Sequence, residues 1–185
     1  MPMIDCIRWP TIRTALVLSA VLLGEALANA QEPQPEYKFK AAYIYHFAQF
    51  VEWPPKAFPT ATSPLVISVL GQNPFGNELE RALNQKTING HPLMVRTVRD
   101  PAEALTNCHV LFISSSEKKR LPEIFSILRG ASVLTIGETD TFIESGGMIR
   151  FLFEEKKIRF EINDEAARAA GLAIRAKLLS LAVKP

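Results

Sequence analysis

Short apolar runs recurring between helix-like segments constrain this chain more than any other feature. Residues 93–98 and 132–136, together with Leu65–Leu70 and Val110–Ile113, read as strands. Residues 74–85, Pro101–Leu105 and 117–128 read as helices, the last despite Pro122, and a short helical piece through Phe142-Ile143 follows the fourth strand. Strands this continuously apolar are buried on both faces, and the helices between them supply the covering layers of a largely parallel sheet. Residues 148–153 and Lys157–Ile162, separated by Glu154-Glu155-Lys156, read as an antiparallel hairpin. Asn163 then caps a helix expected from Asp164 to about Val183, with Asp164 and Glu165 well placed for the helix dipole. Gly171 lies in its apolar stripe, where close approach of another backbone would explain it. The expected fold is α/β, with a largely parallel sheet of about six strands covered by helices on both faces. It ends in the antiparallel hairpin and a long C-terminal helix.

The first thirty residues read as an address. Arg8 and Arg13 precede an apolar stretch at 15–23, and Ala28-Asn29-Ala30 offers small residues at a cleavage spacing, as in a secretory signal peptide. The stretch is far shorter than the ~20 residues a membrane-spanning helix needs. Residues 31–36, with Pro33 and Pro35, read as a short tether, and 37–185 as one domain. Cleavage removes Cys6 and leaves Cys108 alone before the run Val110-Leu111-Phe112-Ile113. A lone thiol there reads as a buried small hydrophobe, with an intermolecular disulfide as the alternative.

Residues 37–53 read as a helix stopped by Pro54-Pro55. Tyr37, Phe39, Tyr43, Ile44, Phe47, Ala48, Phe50 and Val51 cover most of its circumference, so the helix is buried on two sides or meets a partner. Lys40 falls on the apolar side, where it either snorkels or pairs with a carboxylate.

Little in the sequence points to catalysis. Lys plus Arg is 21 and Asp plus Glu is 19, and a net charge of +2 gives no electrostatic footprint for nucleic acid. His46, His91 and His109 have no ligand spacing, so neither metal nor cofactor is expected, and the nucleophile turn G-x-S-x-G is missing from the sequence. Ser114 to Glu117 has the spacing of a capping box, and Pro74 suits a first helical position. Loops carrying Gly71, Gln72, Asn73, Phe75, Ser114, Ser115, Gly137 and Glu138 all follow strands, the edge where open parallel sheets hold ligands. A small anionic or amino-acid-like ligand there competes with a solvated loop edge. On the last helix Arg168 and Arg175 share a side, flanked by Leu172 and Leu179, and read either as a solvated ridge or as a partner surface.

Lys40-Ala41-Ala42-Tyr43-Ile44-Tyr45-His46-Phe47-Ala48 through Phe50-Val51-Glu52-Trp53-Pro54 resembles the opening of the YfiR-like family of periplasmic proteins. So do Val69-Leu70-Gly71 with Pro74-Phe75-Gly76, Cys108 through Ser114, and Val133 through Gly137. The strongest likeness runs from Gly146-Gly147-Met148-Ile149 through Phe160-Glu161-Ile162-Asn163 to Ala170-Gly171-Leu172 and Lys177 through Ala182. The resemblance implies a regulator that is not an enzyme, soluble in the periplasm. It would repress a membrane-bound diguanylate cyclase by binding that protein's periplasmic sensory domain, lowering cyclic-di-GMP and biofilm formation. It also implies sequestration by an outer-membrane lipoprotein, and a homodimer whose disulfides carry redox state, a pattern from which the unpaired Cys108 departs. Phe39, Tyr43, Phe47 and Phe50, with Arg168, Leu172, Arg175 and Leu179, are the expected contact residues. A periplasmic small-molecule-binding protein acting through the strand-end loops is the alternative.

Overall fold

Two segments that read as long continuous helices are each broken where they meet. In the computed structural model, which describes residues 35–154 and 157–183, the first helix, α1, spans Pro35–Gln49. It therefore begins inside the expected tether and stops four residues short of the expected end. Val51–Glu52 forms a short strand, β1, paired antiparallel with β9 (Ala173–Ile174) in the register Val51↔Ile174. The C-terminal helix divides to supply that partner. Helix α4 (Asp164–Ala169) is followed by β9 and then by α5 (Ala176–Leu179), so the expected long helix does not form.

The break is local chemistry. Gly171 sits at φ +73°. Its N–H donates to the Arg168 carbonyl at 2.9 Å, and the Leu172 N–H reaches the Ala167 carbonyl at 3.0 Å. This is the paired 5→2 and 6→1 bonding of a Schellman C-cap. The left-handed conformation, not a close backbone, accounts for glycine here, since the nearest atom to an added Cβ is Ser132 Oγ at 3.7 Å.

The main sheet has seven strands in the order β3-β4-β2-β5-β6-β7-β8. These are β2 (Leu65–Leu70), β3 (Thr87–Ile88), β4 (His91–Val98), β5 (Val110–Ile113), β6 (Leu134–Gly137), β7 (Ile149–Glu154) and β8 (Lys157–Ile162). The central five pair in parallel, while β3 and β8 are antiparallel edges. The extra strand β3 comes from a hairpin at Asn89-Gly90, both at positive φ. That is the Asn-Gly signature of a type I′ turn.

Two apolar layers cover the sheet. Along β5, Val110 and Phe112 belong to one core with Leu65, Ile67, Leu134 and Ile136, and Leu111 and Ile113 to the other. This follows the two-residue side-chain period of a strand. Helix α1, helix α2 (Glu78–Leu83) and the C-terminal segments pack on the first face. The 3₁₀ turn Pro101–Leu105, helix α3 (Leu121–Ile127) and Phe142 pack on the second. Helix α2 starts later than expected, because residues 74–77 form turns and Pro74 precedes the helix. Residues 117–120 belong to the 3₁₀ turn Ser115–Arg120, with Pro122 tolerated at the start of α3. The piece around Phe142-Ile143 is a run of turns.

The expected leader, 1–30, and most of the tether lie outside the described residues. Among the described residues no helix is long and apolar enough to cross a membrane.

Candidate functional site

The carboxyl ends of β2, β5 and β6 lie side by side. The chain leaves β2 for β4 on one flank and returns to β5 on the other, so the loops after β2 and β5 bound a topological switch point, the usual ligand crevice of such sheets. Here the crevice is closed by its own side chains. The Gln72 N–H donates to Ser116 Oγ at 3.1 Å. Asn73 accepts from the Phe75 N–H at 2.9 Å and donates to the Gly76 carbonyl at 3.1 Å, fixing its own turn. Phe75 is fully buried and stands edge-on to Phe112. Gly71, at φ +88°, lies so close to the β5 loop that an added Cβ would sit 2.5 Å from Ser116 Oγ. Ser114 is buried and caps the 3₁₀ turn, receiving the Ser116 N–H, while Ser115 is exposed. At Gly137 a Cβ would fall 2.3 Å from the Phe142 ring. The loops after β2 and β5 meet at Gly71, Gln72 and Ser116, and Asn73 and Ser114 are each bonded within their own turns.

Glu138 reaches from the end of β6 to the first turns of α1. Lys40, 3% exposed, places Nζ 2.7 Å from Glu138 Oε2 and 2.8 Å from Glu36 Oε1. Tyr37 donates its hydroxyl to Glu138 Oε1 at 3.0 Å, and its ring centroid lies 4.6 Å from Lys40 Nζ. Of the two readings open for Lys40, the buried pair is the observed one. Burial first, then the Glu138 charge and hydrogen bond, push the Tyr37 phenol well above its usual range. Two carboxylates, one ammonium and a phenol held this tightly act as a clamp. They dock the start of α1 on the strand ends and turn the opposite side of the helix outward.

The expected contact residues separate into three groups. Phe47 and Leu172 are core residues, with Phe47 packed on Phe151 and Phe160. Phe50, Tyr43 and Leu179 are half-buried, and Lys177 Nζ lies 5.8 Å from the Phe50 ring centroid. Phe39 is 61% exposed. Arg168 and Arg175 do not form a ridge, because the helix joining them is broken at Gly171. Arg168 pairs with Asp164 on α4. Arg175 lies beyond β9 and holds Glu52 at 3.0 Å.

What the helical pattern of α1 concealed is its neighbour. Phe39 and Tyr43 line a groove of about 480 Å³ with Phe153 and Ile158 of the hairpin. Phe153 is 52% exposed and Leu181, farther along, 63% exposed. A second groove of about 380 Å³ continues past the shared residues Tyr43 and Ile158 to Leu181 and Val183. Phe153 stood in the sequence as one residue of an alternating strand, and nothing local marked it as exposed beside Phe39.

A histidine-aromatic stack also went unseen. Phe58 lies parallel between His91, at 3.9 Å between centroids, and His109, at 4.4 Å. His109 is buried. Its Nδ1 accepts the Val66 N–H at 3.1 Å, so Nε2 carries the proton and donates to the Ala57 carbonyl at 3.0 Å. Burial holds its pKa below the usual imidazole range. Cys108 is buried, its thiol donating to the Val110 carbonyl at 3.3 Å. Among the described residues no three His, Cys, Asp or Glu side chains are grouped to hold a metal ion.

The family model described as YfiR/HmsC-like matches residues 37–183, nearly all of the described residues.

Proposed function

The chain belongs to the YfiR/HmsC-like family of regulatory domains, and we propose that it acts in the periplasm by repressing a membrane-bound diguanylate cyclase through that enzyme's periplasmic sensory domain. Repression of this kind is a population shift, in which the regulator binds the partner's inactive state more tightly than its active one. Cyclic-di-GMP and biofilm formation then fall, and sequestration by an outer-membrane lipoprotein would reverse the effect.

One observation carries the reading. Phe39 and Phe153 are both exposed and line one groove with Tyr43 and Ile158, and exposed aromatics gathered at a groove are the mark of a contact surface. The alternative, a small molecule held at Gly71 to Phe75, Ser114 and Glu138, is weaker because Gln72 N–H, Asn73, Ser114 and Glu138 already have partners within the protein: Ser116, the Asn73 turn itself, Ser116 and the Lys40–Tyr37 pair of α1.

Immobilised protein is offered detergent-solubilised membranes containing a candidate cyclase. Retention of the cyclase by the wild type, and not by a Phe39→Asp variant with an unchanged melting temperature, supports the proposal. No retention of a cyclase whose output depends on this protein contradicts it.

A further inference from the structure

Strand β8 is the outer edge of the sheet, and one end of it already accepts an added segment. The Val183 N–H donates to the Phe160 carbonyl at 2.9 Å, and Val183 bridges Glu161 in parallel. The Phe160 carbonyl therefore points away from β7. In an antiparallel pair the N–H and C=O of one residue point to the same side, and the pattern repeats every second residue. The N–H and C=O of Ile158 thus also face outward, and among the described residues no strand pairs with that edge over 157–159.

Side chains around this edge define what it would accept. Ile158 lies on the α1 side, where the two grooves run alongside the edge from Phe39 and Phe153 to Leu181. Lys157 and Arg159 alternate with it along the strand, both are exposed, and each also borders one of the two grooves. A strand laid here would place every second side chain in an apolar groove and the others beside two cations.

We propose that the free edge of β8 at 157–159 binds an extended segment of a partner protein in which apolar and acidic residues alternate, by strand addition. This rests on the contact reading above and names its surface. Main-chain bonds to Ile158 would give affinity, while the groove and the two cations give selectivity. A second copy fits poorly, since any antiparallel β8–β8 register confined to 157–159 brings Lys157 and Arg159 against their like.

The probes are fluorescein-labelled eight-residue peptides alternating valine with glutamate or valine with lysine, titrated into the purified protein by anisotropy. The glutamate peptide is expected to bind about tenfold or more tighter than the lysine peptide, and Arg159→Glu to remove or reverse that preference. Phe39→Ser, which alters only the groove, is expected to weaken the glutamate peptide about tenfold. Equal affinity for the two peptides would overturn the proposal, as would indifference to Arg159→Glu. So would competition by self-association, seen as a dimer in sedimentation that excludes the peptide. These readouts involve no cyclase. A normal peptide preference with no cyclase response would defeat the regulatory reading and spare the surface, and the reverse result would defeat the surface alone.

Discussion

Lys40 and Glu138, ninety-eight residues apart in sequence, meet at 2.7 Å at the end of β6 and fix how α1 lies on the sheet. Glu36 and Tyr37 complete the cluster from the helix side. Because Lys40 is almost without solvent, removing its partner leaves a poorly compensated charge. Glu138→Gln is expected to lower stability by about 2–3 kcal/mol, below the ~3–5 kcal/mol of an isolated buried pair because Glu36 remains. Urea unfolding measures the loss. Tyr37 gives an independent signal. Its raised folded pKa means that stability is intact below the unfolded phenol value of ~10 and declines as pH rises above it. Absorbance at alkaline pH should show one tyrosine ionising only with unfolding, and Glu138→Gln should bring that ionisation down.

His109 predicts acid sensitivity. Burial lowers its folded pKa, so as pH falls below ~6.5 the unfolded chain takes up the proton first. Stability is therefore full above that value and is lost between it and the folded pKa. Protonation would turn Nδ1 into a donor facing the Val66 N–H, with His91 adding like charge across Phe58. The urea midpoint should decline from pH 7 to 5, and His109→Gln should flatten the slope at a general cost of about 1–2 kcal/mol from lost hydrogen bonds.

Gly171→Ala is expected to cost about 1 kcal/mol, the penalty of a left-handed residue bearing a Cβ, since space at the site is open. Thermal unfolding checks it. A stabilising effect would mean that the helix continues through 171 after all.

Cys108 is expected to react with a thiol reagent only in denaturant, and reductant should leave the native protein's mass in solution unchanged. Burial raises its pKa and removes it from reach of a second thiol. Fast labelling of the native protein would contradict this.

The parallel core was legible because Leu65–Leu70 and Val110–Ile113 are apolar on both faces, a pattern with few alternatives. Helix ends were less legible where long-range pairing decided them. Val51 has helix-compatible spacing, yet it pairs with Ile174, and only Gly171 hinted that the C-terminal segment would turn back. Asn89-Gly90 did announce the missed strand β3, but its two-residue strand is too short to show a period. At the candidate site, Phe39 was readable from its helix, whereas Phe153, Ile158 and Leu181 join it only through the fold. The Phe58 stack likewise assembles residues from three separate segments.

The most direct test of contact-based regulation is cellular cyclic-di-GMP in a strain lacking this protein, complemented with wild type or with the double variant Phe39→Asp/Arg159→Glu. If regulation is by contact, cyclic-di-GMP rises on deletion, wild type restores it, and the double variant does not, despite normal export and an unchanged melting temperature. Cyclic-di-GMP that is the same with and without the protein would contradict it.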